Sequence, residues 1–212
     1  MVSVVRLRIA AIILMAAIVL TMAELAWAEN ASIPVFTPPG MIRVDGQDAA
    51  IDAKLRERTG PMLRHLGYFA EAQAWEDFAA GNSITEIPSV FAYIATPAII
   101  ENVEVSQADF EQIKTVARAA GRSGQARILD DQPRFITSHA TATHMTRNKD
   151  LLVSEIITSI ILVEGRAISL YSMNSAAPGQ PRTAILEGHQ TWRDAYLKKT
   201  GPGQRGGKMD KL

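Results

Sequence analysis

Residues 153–163 have the sequence VSEIITSIILV and are followed by the turn pair Glu164-Gly165 and by residues 166–174, RAISLYSMN. Apolar side chains occupy both the odd and the even positions of the first segment. Because successive side chains of a strand point to opposite faces, this strand needs packed material on both of its faces. The short turn brings the second segment back beside the first. We therefore predict a long antiparallel hairpin at residues 153–174 as the centre of the fold.

Two helices are predicted to flank this hairpin. The first, residues 106–120, begins at Ser106, whose hydroxyl can accept a hydrogen bond from the backbone N–H three residues later. The second, residues 184–199, begins after Thr183. One face of the second helix carries four large side chains at helical spacing: Ile185, His189, Trp192 and Tyr196. This apolar setting favours a structural role for the histidine. The fold class is therefore α+β, an antiparallel sheet flanked by helices.

Shorter elements are predicted in the remaining chain. The strands fall at 41–44, 66–72, 87–95 and 134–146, and a helix falls at 74–80. Asp48 can cap a further helix, which Gly60-Pro61 interrupts because proline removes a backbone hydrogen bond. The buried face of that helix is predicted to hold Ile51, Leu55 and Met62. The paired acids Asp130-Asp131 are predicted to lie on the solvated surface.

The amino terminus has the features of a secretory signal peptide, residues 1–28. Arg6 and Arg8 precede an apolar run at residues 9–23, and the Ala-Trp-Ala sequence before the cleavage site fits the small-x-small rule of a leader peptidase. The run is shorter than the roughly 20 apolar residues of a spanning helix. We therefore predict cleavage after Ala28. The alternative is an uncleaved membrane anchor.

This leader predicts a periplasmic or secreted protein, with a single exported domain at residues 29–200 and a disordered, glycine-rich tail at residues 201–212. The chain contains no cysteine, which excludes disulfides and thiolate metal sites, so its stability must come from a packed core. Lys plus Arg equal Asp plus Glu at 22 each, which gives no indication of nucleic-acid binding. The predicted location suggests another envelope protein as the partner. Contact with a membrane would occur only through an uncleaved leader.

The polar segment 138–144 provides the candidate pocket residues: Ser138, His139, Thr141 and His144. Adjacent strand residues face opposite ways, so Ser138 cannot use His139 as its base. The four histidines do not have the spacing of a metal site, and no cofactor is predicted. The favoured interpretation is an exported protein of unknown activity that acts by binding, as an envelope-accessory protein, without catalysis. The alternative is a small-molecule-binding domain or a hydrolase that uses residues 138–144.

Four sequence features, taken together, resemble those of a diffuse group of uncharacterised exported bacterial proteins. They are the opening Pro38-Pro39-Gly40-Met41, the helix start at 106–110, the hairpin at 156–174 and the tryptophan-containing helix at 192–196. The order of elements is similar to that of PsbP-like α/β sandwiches, in which an antiparallel sheet carries helices. The resemblance covers residues 38–199. It implies a fold and assigns no catalytic residue.

Overall fold

A computed structural model of the chain describes residues 33–60, 62–82, 87–145, 151–178 and 185–199. In these residues seven strands form one antiparallel sheet in the order β1-β2-β3-β7-β6-β5-β4. The strands are β1 (Ile42–Arg43), β2 (Leu63–Ala70), β3 (Val90–Pro97), β4 (Arg127–Gln132), β5 (Phe135–Met145), β6 (Leu151–Val163) and β7 (Arg166–Ala176). The helices are α1 (Ala49–Thr59), α2 (Ala72–Ala79), α3 (Gln107–Arg122) and α4 (Leu186–Lys199), with a 3-10 turn at Ala98–Ile100.

Several predicted features lie outside the described residues. They are the signal peptide with its cleavage site at Ala28, the capping residue Thr183 and the tail at 201–212. Within the described part of the chain, no helix has the length and hydropathy that crossing a bilayer requires.

The β6–β7 hairpin forms the centre of the sheet, which confirms the prediction for residues 153–174. Its turn residues Glu164 and Gly165 have φ values of 49° and 74°. A two-residue turn of type I′ requires positive φ at both positions, and its twist matches that of the strands. Ile157 and Ile160 point to opposite faces of β6 and are only 2% and 8% exposed. Both faces of the strand are therefore covered.

Different helices provide the two covers, so the α+β fold class is confirmed. On one face, Trp192 and Tyr196 of α4 pack in a cluster with Ile161 of β6. On the other face, Phe110 of α3 packs in a cluster with Ile160. The predicted helices at 106–120 and 184–199 correspond to α3 and α4. Burial on both faces explains why apolar side chains occupy both the odd and the even positions of β6.

Helix α1, from the first half of the chain, packs on the same face of the sheet as α3, over strands β1, β2 and β3. Asp48 caps α1 as predicted, and Leu55 is fully buried between the helix and the sheet. The prediction for Met62 is wrong, since its side chain is 45% exposed. The helix ends before Gly60, whose φ of 111° turns the chain, so Met62 no longer follows the helical stripe. The strands predicted at 66–72 and 87–95 and the helix predicted at 74–80 are present as β2, β3 and α2, with shifted ends.

The edge strand β4 is absent from the sequence-based expectation, because its charged pattern suggests solvated surface. Asp130 and Asp131 reach solvent as predicted, with side chains 32% and 28% exposed, and they are also ion-paired on opposite faces of β4. Asp130 lies 3.3 Å from Arg193 of α4. Asp131 contacts Arg118 and the buried Lys114 of α3, the latter at 2.9 Å. The two acids therefore attach a helix to each face of the sheet.

Candidate functional site

The predicted pocket residues of segment 138–144 are divided between the two faces of the sheet. Side-chain alternation along β5 places Ser138 on the α3 face and places His139 and Thr141 on the α4 face. The backbone of His144 pairs within the β5–β6 ladder, and its side chain lies outside the described atoms. Ser138, His139 and Thr141 line neither of the two cavities described below. The structure therefore does not bring the four candidates together.

A buried polar network holds α4 to the sheet. His189 bonds through Nδ1 to Ser172 Oγ and through Nε2 to Ser159 Oγ, each at 2.8 Å. Ser159 Oγ lies 2.7 Å from Thr137 Oγ1, which accepts a hydrogen bond from Arg193 Nη1 at 3.1 Å. All five side chains are buried. This chain of partners satisfies polar groups that would otherwise destabilise the core.

Burial also fixes the charge state of the histidine in this network. Desolvation, together with the charge of Arg193, lowers the pKa of His189 to about 3. The ring is neutral at physiological pH, so one nitrogen donates to a serine and the other accepts from one. The helix seals Ser159, His189 and Ser172 from solvent, so a substrate has no approach to them. The arrangement agrees with the structural role predicted for His189.

A cavity of about 340 Å³ between α1 and β2 is the stronger candidate for a functional site. Asp52 and Arg56 line it from α1, Asp45 lines it from the preceding turn, and residues 63–68 form its β2 side. The β2–β3 register shifts between His65 and Gly67, which places a bulge at this wall. A bulge bends its strand and redirects a side chain, and such irregularities are frequent beside functional sites.

Two buried polar atoms of residues that line this cavity lack hydrogen-bond partners. Among the described residues, the buried side-chain nitrogen and oxygen atoms without a hydrogen bond are Asp52 Oδ1 and His65 Nε2. Both residues line the cavity. The second Asp52 oxygen, Oδ2, accepts from the Gly46 backbone N–H at 2.9 Å. Leaving a buried polar group unsatisfied costs about 1–3 kcal/mol. The two unsatisfied atoms therefore line the same cavity from opposite sides, Asp52 from α1 and His65 from the bulged strand β2.

An aromatic group surrounds His65. Its ring stacks on Tyr68 with centroids 5.1 Å apart and meets the edge of Tyr93 at 5.5 Å. Burial, and to a smaller extent the positive charge of Arg56, lowers the pKa of His65 to about 4. Burial raises the pKa of Tyr68 to about 12. At neutral pH both side chains are uncharged, so this part of the cavity lining carries no net charge.

The charged residues of the cavity differ in their partners. Asp45 binds Arg43 at 2.7 Å and accepts from the backbone N–H of Tyr68. Arg64 forms an ion pair with Glu101. Those two lining charges are therefore neutralised within the protein.

Arg56 differs from them. This exposed side chain has no ion pair or hydrogen bond with another described residue. The cavity thus presents one available guanidinium, one unsatisfied carboxylate oxygen and a neutral imidazole.

A second concave region lies at the end of α3 and is more open to solvent. It has a volume of about 520 Å³ and is lined by Arg118, Arg122 and Arg127 around Ile128. Arg118 is already bound to Asp131. Basic residues near a helix carboxyl end are favoured by the helix dipole, which accounts for Arg122. This region contains no buried unsatisfied side-chain atom, so it is the weaker candidate.

No group of three or more His, Asp or Glu side chains in the described part of the chain is placed to hold a metal ion. Sequence reasoning missed Asp52 and Arg56. Their spacing of four residues on a helix was a signal that they share a face. Nothing local in the sequence reveals the bulge at His65 or the lack of partners, since both depend on the pairing of β2 with β3.

Comparisons of the chain with protein-family models, with curated proteins and with solved structures give no match.

Proposed function

We propose that the protein is exported and binds a small polar molecule, without catalysing a reaction, in the cavity between α1 and β2. The observation that carries this proposal is that Asp52 Oδ1 and His65 Nε2, the unsatisfied buried side-chain atoms of the described residues, belong to residues that line the same cavity. Binding sites are commonly concave and contain a few polar groups that converge on the ligand. Groups that destabilise the fold are retained where function needs them.

The exported location is proposed from the leader. Arg6 and Arg8, the apolar run at 9–23 and the cleavage motif ending at Ala28 support transport to a periplasm or to the medium. An exported location and non-catalytic binding together support the proposal of an envelope-accessory role. The order of helices and strands supports the proposal that the domain is a PsbP-like α/β sandwich.

Binding is proposed over hydrolysis because of how the hydroxyl and imidazole groups are placed. The network around His189 is closed by α4, as described above. The His139 side chain makes no hydrogen bond with a described residue, and Ser138 lies on the other face of β5. A nucleophile needs its base within about 3 Å and a route for the substrate. The described hydroxyls do not combine these two conditions.

The test is native mass spectrometry of the purified protein, followed by thermal-shift screening with a library of small metabolites. We expect a retained or stabilising small polar molecule. His65→Leu should weaken its binding strongly because the imidazole is lost. The same substitution should leave the free energy of unfolding equal or raise it by about 1 kcal/mol, since it removes an unsatisfied buried nitrogen. This opposite effect on binding and stability distinguishes a binding group from a structural one.

His139→Leu is the matched control, because it makes the same chemical change in the same sheet, away from the cavity. It should leave binding unchanged. Loss of binding in this variant, with binding intact in His65→Leu, would favour the segment 138–144 instead. If no molecule is retained and no compound stabilises the protein, the binding function itself is wrong.

Export has a separate test. Sequencing the amino terminus of the protein isolated from the cell envelope or the medium should show a start at Glu29, after removal of residues 1–28. A start at Met1 would contradict the proposed processing and favour the membrane-anchored alternative.

A further inference from the structure

Asp52 and Arg56 have the spacing of an ion pair but do not form one. They lie four residues apart on α1, where Cβ atoms are about 5–6 Å apart and an acid preceding a base is the favourable order. Asp52 instead turns one oxygen to the backbone N–H of Gly46. Arg56 has no ion pair with a described residue. Neither charge is therefore neutralised by an ion pair with a described residue, and both residues line the cavity.

The remaining charges of the cavity wall are already matched. Asp45 is bound to Arg43, and Arg64 is bound to Glu101. His65 lies against aromatic rings and adds no charge at neutral pH. The available charge is therefore one carboxylate and one guanidinium, side by side on a helix. A simple anion would be repelled by Asp52 and a simple cation by Arg56, whereas a molecule with both charges satisfies both.

Size and geometry narrow the ligand further. The volume of about 340 Å³ is near the lower end for small-molecule sites. Asp52 Oδ1 is closed to solvent, so a donor reaches this carboxylate after a rotation of its terminal torsion, which has a broad energy minimum. Arg56 is exposed and needs no such movement to meet a carboxylate. Guanidinium and carboxylate form paired hydrogen bonds with matched geometry.

We infer that the ligand of this cavity is a compact zwitterion with an ammonium group and a carboxylate group, in the manner of a free amino acid. The ammonium binds Asp52 and the carboxylate binds Arg56, while the uncharged part faces His65 and Tyr68. This inference rests on the proposed binding function and specifies its ligand class.

The experiment is calorimetric titration of the full mature protein with three matched panels. The first contains the twenty common amino acids, the second contains the corresponding amines without the carboxylate, and the third contains the N-acetylated amino acids without the ammonium. We expect binding by one or more members of the first panel. Their amine and N-acetyl counterparts should bind at least about tenfold more weakly, since each lacks a charge-assisted hydrogen bond.

Two variants locate the interaction. Asp52→Asn keeps the side-chain size and Arg56→Gln keeps a polar side chain, and each substitution removes a charge and should weaken binding of the amino acid about tenfold or more. Lys54→Gln removes an exposed charge from the same helix outside the cavity and should leave binding unchanged. Urea unfolding of every variant shows whether the fold is retained. Arg56→Lys gives a second reading, because it keeps the charge without the paired geometry and should bind with intermediate strength.

The outcomes separate the inference from the function on which it rests. Equal binding of an amine or an N-acetyl acid, or unchanged binding in folded Asp52→Asn, would overturn the zwitterion. The zwitterion would also be overturned if the protein retained a molecule of another class and His65→Leu abolished its binding. The cavity would then remain a binding site. Absence of every small molecule, by titration, mass spectrometry and thermal shift, would overturn the proposed function as well.

Discussion

Ser159 and His65 are both polar and buried in part or in full, but they differ in whether their polar atoms have hydrogen-bond partners. The hydroxyl of Ser159 lies within hydrogen-bond distance of both Thr137 and His189 beneath α4. The Nε2 atom of His65 is equally closed to solvent but has no partner. A fully connected network adds rigidity to a core, while an unsatisfied atom subtracts from stability. The satisfied hydroxyl of Ser159 therefore indicates a structural role, and the unsatisfied nitrogen of His65 supports a role in binding.

Replacing Ser159 with Ala should therefore destabilise the protein. The substitution removes one partner from His189 Nε2 and one from Thr137 Oγ1, and leaves both atoms buried. We expect the free energy of unfolding to fall by about 1–3 kcal/mol. Urea unfolding followed by tryptophan fluorescence measures the change, because Trp192 packs edge-on to His189 with ring centroids 6.2 Å apart.

Ser138→Ala is the control for this prediction. It makes the same chemical change on β5, where the half-buried Ser138 side chain has no hydrogen bond with another described residue. Its effect should stay within about 0.5 kcal/mol. Equal effects of the two substitutions would show that the network beneath α4 contributes no specific stability.

At the scale of elements, α3 begins where local chemistry requires it. Ser106 Oγ accepts from the Asp109 backbone N–H at 3.2 Å, and an Asp109 carboxylate oxygen accepts from the Ser106 backbone N–H at 3.1 Å. This reciprocal pair is a capping box, which satisfies two backbone donors at the start of the helix. All its atoms come from residues three apart in sequence, so it could be predicted without any knowledge of the sheet.

Ser106→Ala should lower the free energy of unfolding by about 1 kcal/mol, the usual cost of losing a cap. Thermal unfolding by circular dichroism measures it. Ser106→Thr keeps the hydroxyl acceptor and should restore most of the lost stability. If Ser106→Thr is as unstable as Ser106→Ala, the hydroxyl does not contribute through the capping bond.

What could be predicted from sequence follows this division between local and non-local causes. The β6–β7 hairpin and α3 are specified by apolar patterns, a short turn and a cap, all of which are local. Strand β4 pairs with its sequence neighbour β5, but its acids have distant partners, since Asp130 contacts Arg193 of α4. The candidate cavity depends on a bulge at His65 that exists only once β2 pairs with β3. The position of the cavity could therefore not be predicted from the sequence, although the sequence does show that Asp52 and Arg56 share a helix face.

At the scale of the whole molecule, a chain without cysteine relies on its core and on neutral buried groups. Two histidines from different parts of the fold, His65 and His189, have pKa values lowered by burial to about 4 and about 3. In the unfolded chain each would titrate near 6.5. Below that pH the unfolded state takes up protons that the folded state refuses, so acid favours unfolding. Above pH 6.5 both states are neutral and the effect vanishes.

Stability should therefore be level from pH 8 to 7 and fall as the pH decreases below about 6.5. The buried His189 alone accounts for about 1.4 kcal/mol per pH unit at most, and the partly exposed His65 adds less. The lowered pKa of Asp131, about 2, affects stability only in stronger acid, so the range from pH 7.5 to 5.5 isolates the histidines. Urea midpoints across this range measure the slope, and His189→Gln should reduce it. A midpoint that stays constant down to pH 5.5 would mean that these rings are protonated in the fold, and the neutral contacts assigned to Ser159 and Ser172 would then be wrong.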